Sequence, residues 1–174
     1  VRVFGEPVAR GNLRRIRQRV GLVFQNPDDQ LFCPTVFEDV AFGPRNLGLT
    51  EEVVAGRVRE SLAAVGLEGL EGKSAFHLSV GQKKRAALAT VLALDAEVLV
   101  LDEPTAGLDP RGRRETLALL RELGRTQIVA THDLPFVSEL CDRAVVMYEG
   151  RAVAIGAARE ILSDGALLER YGLT

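Results

Sequence analysis

Three short apolar runs in this chain each stop abruptly at a polar side chain of the kind enzymes use. Gly21-Leu22-Val23-Phe24 stops at Gln25, Val98-Leu99-Val100-Leu101 at Asp102-Glu103, and Ile128-Val129-Ala130-Thr131 at His132. Uninterrupted apolar runs of this length, alternating with helical segments, read as parallel strands buried under helices on both faces. In an open parallel α/β sheet, ligands bind at the carboxyl ends of the strands. One polar residue at such a place carries little weight. Three of them on one edge define a candidate catalytic edge, and the expected fold class is α/β.

The segments between these runs carry helix punctuation. Val1–Phe4 reads as a short strand followed by a Gly-Glu-Pro turn, and Asn12–Arg19 as a short basic helix leading into the strand Val20–Phe24. Thr35 and Glu38 have capping-box spacing and open a helix that Gly43-Pro44 is expected to end near Phe42. Thr50-Glu51-Glu52 opens a longer helix that stops at Gly66. Ser79 and Gln82 form a second capping box, ahead of an apolar helix over Lys83–Leu94. Helices are expected over Arg111–Leu123, Leu134–Cys141 and the tail Ala157–Tyr171. Strands are expected at Glu97–Leu101 and Gln127–Ala130. Ala144–Tyr148 and Arg151–Ile155 flank Glu149-Gly150 as a β-hairpin.

The polar residues suit nucleotide hydrolysis. A carboxylate at the end of a buried strand, Asp102, can hold Mg²⁺, usually through water. A second, Glu103, can polarise an attacking water. An isolated Asp-Glu pair would read as a solvated turn, but VLVL before it and Pro104 after it favour the catalytic reading. His132 can orient the water or contact a terminal phosphate, whereas His77 has no such setting and reads as structural. Ser79-Val80-Gly81-Gln82 starts a helix, where backbone N–H groups and the dipole favour an anion. Lys83, Lys84 and Arg85 in the first turn oppose that dipole, a placement explained if they face phosphate or an acidic partner. The alternative is an ordinary capped helix with solvated basic residues. The stretch Gly66–Ser74 ends in Gly-Lys-Ser, but Leu67 stands where a phosphate loop needs glycine, and a helix rather than a buried strand precedes it. It reads as a linker.

At 174 residues the chain is most simply one domain. A net charge of −2 gives no argument for nucleic acid or a polybasic membrane anchor. Cys33 and Cys141 form no CxxC pair, which fits a reducing compartment and argues against a thiolate metal site. The apolar stretch Ala86–Leu94 is far shorter than the ~20 residues that span a bilayer, so a membrane role would come through a partner.

Five ordered blocks resemble the ATP-binding cassette (ABC) family. Leu78-Ser79-Val80-Gly81-Gln82 is similar to its signature motif, and Val98–Pro104 to its Walker B strand with the catalytic glutamate. Ala106–Asp109 is similar to the D-loop, Thr131-His132-Asp133 to the switch-histidine block, and Gln25 to the Q-loop glutamine. More narrowly, Val23–Phe32, Thr35–Pro44 and LSVGQKKR resemble the ATPase subunits of energy-coupling-factor importers, which import cobalt, nickel or vitamins.

The resemblance implies a P-loop NTPase-like parallel sheet core with a helical subdomain over residues 26–76. Residues 78–174 would carry the signature helix, Walker B strand, D-loop, switch histidine and C-terminal region. It implies ATP and Mg²⁺ as ligands, with Asp102 coordinating Mg²⁺ and Glu103 as general base. His132 would hold the γ-phosphate and water, and Gln25 would sense Mg²⁺ and couple to a membrane subunit. Ser79, Gly81 and Gln82 would contact ATP on the opposite protomer of a head-to-tail dimer, and Asp109 would link its two sites. The expected partners are a second ABC ATPase subunit, identical or paralogous, and an integral-membrane transporter subunit. No nucleic acid is expected, and the expected location is the cytoplasmic face of the cell membrane. Leu31, Phe32, Phe37 and Phe42 are candidates for the docking surface, some of them with core roles.

Two departures from the family pattern stand out. Val80 occupies a signature position where the family most often has glycine. No GxxxxGK[ST] phosphate loop occurs among the 174 residues, so the N-terminal strand, phosphate-loop unit and adenine-stacking aromatic are expected upstream of Val1. The leading expectation is an importer ATPase subunit seen as an N-terminally incomplete chain. The alternative is a catalytically incomplete remnant or partner that supplies only its signature face to a complete ATPase. A soluble cassette ATPase of DNA repair or translation fits less well, because the insertion between Gln25 and Ser79 is short and has no heptad run.

Overall fold

The computed structural model describes residues 1–173. The chain opens with a small antiparallel hairpin, β1 (Arg2–Val3) and β2 (Glu6–Pro7). The turn therefore falls at Phe4-Gly5, both at positive φ, and Glu6-Pro7 is strand rather than turn. Helix α1 (Leu13–Arg19) feeds β3 (Val20–Val23). Three helices follow, α2 (Val36–Asn46), α3 (Glu51–Ala64) and α4 (Val80–Leu92), before the chain returns to the sheet as β4 (Val98–Asp102). Helix α5 (Pro110–Glu122) crosses to β5 (Thr126–Ala130), and α6 (Leu134–Leu140) follows. The hairpin β6 (Arg143–Tyr148) and β7 (Arg151–Ala157) turns at Glu149-Gly150, again both at positive φ. The tail is two short helices, α7 (Ala158–Ser163) and α8 (Gly165–Arg170). Asp164 interrupts what the sequence suggested as one helix, because its carboxylate caps α8 at the Leu167 N–H.

The expected parallel sheet is present, in the order β3-β4-β5. Its register aligns Val23 with Leu101 and Leu101 with Val129, so the three strand ends lie along one edge. One face is buried: Gly21, Val23, Leu99 and Leu101 lie under α4 and α5. On the other face Leu22, Phe24 and Ile128 are 45%, 43% and 56% exposed. The expectation of a sheet covered on both faces therefore holds for one face only. Helix α4 sits so close to β3 that a Cβ at Gly21 would overlap the Val91 Cγ1 methyl. Valine is stiff at χ1 in a helix and cannot swing aside cheaply. Gly21→Ala is expected to destabilise the fold by about 1–3 kcal/mol, read as a lower denaturant midpoint with an unchanged slope.

Helix α2 runs past the expected stop at Phe42, through Gly43-Pro44 to Asn46. Glycine is there for contact, not termination: a Cβ at Gly43 would lie 2.5 Å from Leu94 Cδ2. Pro44 is fully buried in the last turn, where its packing offsets the backbone hydrogen bond that its missing N–H forgoes. Helix α4 begins at Val80, earlier than Lys83, because the Ser79 box satisfies the first free N–H groups. Val36, Val40, Val54, Val58 and Leu62 of the insertion join Leu99, Leu101 and Phe136 in one contiguous core.

The linker reading of Gly66–Ser74 agrees with its hydrogen bonding. The Val36 and Phe37 N–H groups at the start of α2 donate to the carbonyls of Lys73 and Glu71, both at 2.9 Å. This segment presents carbonyl oxygens to a helix N-terminus. A phosphate loop needs the opposite polarity, amides turned toward an anion.

Candidate functional site

The polar groups that end β3, β4 and β5 meet at the expected edge. Glu103 sits just past β4 at φ +43, a left-handed conformation costly for a residue with a side chain. Its N–H donates to Ala130 O at 2.9 Å, which ties it to the end of β5. Its carboxylate is shared among the next residues of that strand. Thr131 Oγ1 donates to Oε2 at 2.8 Å, the His132 N–H donates to Oε1 at 3.0 Å, and His132 Nδ1 lies 2.7 Å from the same oxygen. Burial pushes the Glu103 carboxyl up, but the hydrogen bonds from His132 and Thr131 outweigh it and hold the group below its ordinary range. Glu103 is therefore ionised at neutral pH. The His132 side chain is 82% exposed, so it can turn from this contact toward a ligand without disturbing packing.

Asp102 is exposed at the tip of β4, and its carboxylate enters no ion pair or side-chain hydrogen bond among the described residues. Gln25 is exposed as well. Both offer hard oxygen donors of the kind Mg²⁺ takes. No group of three or more His, Cys, Asp or Glu side chains among the described residues could hold a metal ion. A Mg²⁺ ion would thus depend on Asp102, on Gln25 and on oxygens of phosphate and water, which suits an ion bound together with a nucleotide.

Ser79 and Gln82 form a complete capping box. The Gln82 N–H donates to Ser79 Oγ at 3.2 Å, and the Ser79 N–H donates to Gln82 Oε1 at 3.0 Å. The Ser79 hydroxyl proton and the Gln82 amide protons remain free to donate outward. Ser79 opens onto a cleft of about 450 Å³, lined also by Gly81, Arg85, Gly107, Leu108 and Asp109. A Cβ at Gly81 would make only an ordinary 3.7 Å contact with Leu108. The chain's own packing therefore does not require this glycine, and its bare backbone stays open to a ligand. Asp109 accepts from the Gly112 N–H at 2.6 Å and so caps α5.

The three cations in the first turn of α4 have different settings. Lys83 pairs with Asp28 at 2.6 Å, and Arg85 lies 3.9 Å from Glu115. Lys84 is buried, and its ammonium donates to Gln25 O at 3.0 Å and to Glu103 O at 2.9 Å. Lys83 thus has an acidic partner within the chain, whereas Arg85 also lines the cleft at Ser79 and Gly81. Of the four docking candidates, Leu31 is in the core and Phe37 packs against it. Phe32 and Phe42 are 64% and 48% exposed, edge to face with ring centroids 5.0 Å apart.

Sequence reasoning missed the supports of this site. Gln30 takes the Phe24 N–H at 3.0 Å and donates to Ala87 O and Thr90 Oγ1, stitching the end of β3 to α4. Asp133 is gripped by Arg113 of α5 at 2.9 and 3.2 Å, caps α6 at the Phe136 N–H, and accepts from Thr105 at 3.3 Å. The Arg113 guanidinium holds the Asp133 carboxyl below its ordinary range, against burial and with help from the Phe136 N–H. A carboxylate lowered by folding stabilises fully above its unfolded value of 3.8 and loses that contribution as pH falls through the folded value. Asp133→Asn is expected to cost about 1.5–3 kcal/mol at neutral pH. It should also flatten the acid limb of stability, measured by urea melts between about pH 5 and pH 2.

The parallel sheet, the helical insertion and the polar strand ends define a P-loop NTPase-like α/β fold. The family model described as ABC transporter matches residues 1–106. The energy-coupling factor transporter ATP-binding protein EcfA of Methanocaldococcus jannaschii is 51% identical over 178 residues, covering 99% of this chain and 64% of that protein. The protein of the same name from Carboxydothermus hydrogenoformans is 51% identical over 176 residues, covering 99% of this chain and 65% of that protein. The structure of cbiO1 from Clostridium perfringens, part of the ABC transporter complex cbiONQ, superposes with TM-score 0.83 and 42% identity, over 98% of this chain and 70% of that one. This chain belongs to the ABC transporter family, in its ATP-binding component. It spans from 45% to 72% of the length of the curated relatives it matches, and about two thirds of most of them.

Proposed function

We propose that the chain is part of the ATP-hydrolysing subunit of an energy-coupling-factor type importer, which drives uptake of a metal ion or vitamin. The observation that carries this reading is the Glu103 cluster: an ionised, half-buried carboxylate at the strand-end edge, bonded to Thr131 and His132 from the neighbouring strand. Glu103 accepts a hydrogen bond from the attacking water and draws its proton. His132 turns from Glu103 toward the γ-phosphate and frees Oε1 for that water. Asp102, with Gln25, would hold Mg²⁺, which when bound neutralises charge on the phosphate oxygens. Ser79, Gly81 and Gln82 would grip ATP seated on a second, head-to-tail ATPase subunit, and Asp109 would link the two sites. The exposed Phe32–Phe42 pair is the docking point for an integral-membrane subunit, with Gln25 as the nearby relay. The protein would lie peripherally on the cytoplasmic face of the membrane. Among the described residues no helix is long and apolar enough to cross it.

A second reading is a non-hydrolysing partner that lends only its signature face. Val80 in the signature favours pairing with a paralogous rather than an identical ATPase subunit. Reconstitution of the ATPase with its membrane subunits in vesicles separates the two. ATP-dependent uptake of cobalt, nickel or a vitamin that Asp102→Asn in this subunit abolishes supports the importer ATPase. Uptake untouched by Asp102→Asn but lost when Ser79 and Gln82 are replaced supports the partner. In the same vesicles Phe32→Ser with Phe42→Ser is expected to release the subunit from the membrane fraction. Unchanged sedimentation with the vesicles would reject the docking assignment.

A further inference from the structure

We propose that Lys84 is a positioning residue for hydrolysis: its ammonium fixes the main chain at the ends of β3 and β4, holding Gln25 and Glu103 in one frame with the signature helix. The inference rests on the reading of Glu103 as the water-activating carboxylate. Lys84 is only 9% exposed, yet its ammonium is paired with no carboxylate among the described residues. Lysine is almost never buried without such a partner. Burial pushes its pKa down, opposed by the nearby charges of Glu103 and Asp102. The ammonium instead rests on two main-chain carbonyls, those of Gln25 and Glu103. Both belong to residues assigned to the hydrolytic site, and both follow the last residues of neighbouring strands.

The Glu103 end of this arrangement is the strained one. At φ +43 the residue is held on one side by its N–H bond to Ala130 O and on the other by the Lys84 bond to its carbonyl. That backbone conformation sets the carboxylate against Thr131 and His132. Lys84 comes from α4, two residues after Gln82 of the signature box. One helix therefore carries the cleft at its start and, through one side chain, the frame of the hydrolytic carboxylate. Gln30 adds a second tie from the same helix to the Phe24 amide, on the other side of Gln25. Lys84 borders one small, mostly apolar pocket with Val23, Leu88, Leu101 and Pro104. A methionine can fill that space while leaving both carbonyls without a donor.

The test compares Lys84→Met, Lys84→Arg and Glu103→Gln in the full-length ATPase assembled with its membrane subunits, using MgATP. Lys84→Met is expected to lower kcat about 10²-fold, with KM for ATP changed by no more than about two-fold. Amide exchange at Glu103 and His132 should quicken about ten-fold, while amides of α2 and α3 stay unchanged. Lys84→Arg, which keeps the charge and can still span two carbonyls, should recover both. A folded Lys84→Met protein with wild-type exchange at Glu103 and His132 overturns the proposal. So does an unchanged kcat in a protein that Glu103→Gln inactivates. If Glu103→Gln leaves turnover intact, the catalytic reading of Glu103 fails by itself, and the exchange rates alone decide whether Lys84 positions it. Should Lys84→Met not fold, Lys84→Gln carries the same measurements.

Discussion

Replacing Glu103 by glutamine is expected to lower ATP turnover of the assembled protein about 10²–10⁴-fold, the usual worth of a positioned general base. Size and hydrogen-bonding shape are nearly preserved. The amide oxygen can keep the bond from the His132 N–H, and the Thr131 hydroxyl can rotate to accept from the amide nitrogen, so the fold should survive the change. What is lost is the negative charge that holds the contact with His132 and draws the proton from water. Binding of ATP should persist, since the residues assigned to grip nucleotide, Ser79, Gly81 and Gln82, lie on a different element. The measurement is single-turnover hydrolysis alongside equilibrium nucleotide binding. Loss of both together would mean that Glu103 supports structure rather than chemistry. Retention of both would remove it from the mechanism.

The second large effect concerns the 174-residue polypeptide purified alone. Its rate of ATP hydrolysis is expected to be at least about 10³-fold below that of the assembled transporter, the scale of loss when preorganised donors to a developing charge are absent. Within these residues the carboxylates and the histidine stand ready, but no loop of amides and lysine cradles the β- and γ-phosphates. The one Gly-Lys-Ser stretch has its carbonyls committed to α2. Steady turnover by the purified chain, abolished by Glu103→Gln, would show that its own residues suffice.

The polar strand-end edge was legible because apolar runs mark the strands, and the runs here end at Gln25, Asp102-Glu103 and His132. Glu103 and His132 were found for that reason, and their meeting followed from the pairing of β4 with β5. The capping box at Ser79 was legible because its logic is local, closed within four residues. Gly43-Pro44 misled for the complementary reason: local punctuation says stop, while burial of Pro44 and close contact with Leu94 say continue, and packing wins. The supports were hidden because their partners lie far away in sequence. Arg113 meets Asp133 across 20 positions, and Lys84 meets Gln25 across 59. Nothing near Lys84 marks it as different from Lys83 or Arg85. Only the folded chain shows that one of these cations points inward.

The order of the sheet also bears on how the protein is made. Strands β3 and β4 are hydrogen-bonded neighbours, yet all of residues 24–97 are synthesised between them. At roughly 5–20 residues per second, a ribosome takes about 4–15 s to supply the second strand. Throughout that interval β3 has no partner edge from β4. The insertion cannot settle early either, because its core includes residues of the sheet it interrupts. A nascent chain of this design is therefore vulnerable to wrong pairing for seconds, which makes it a natural client for a chaperone at the ribosome exit.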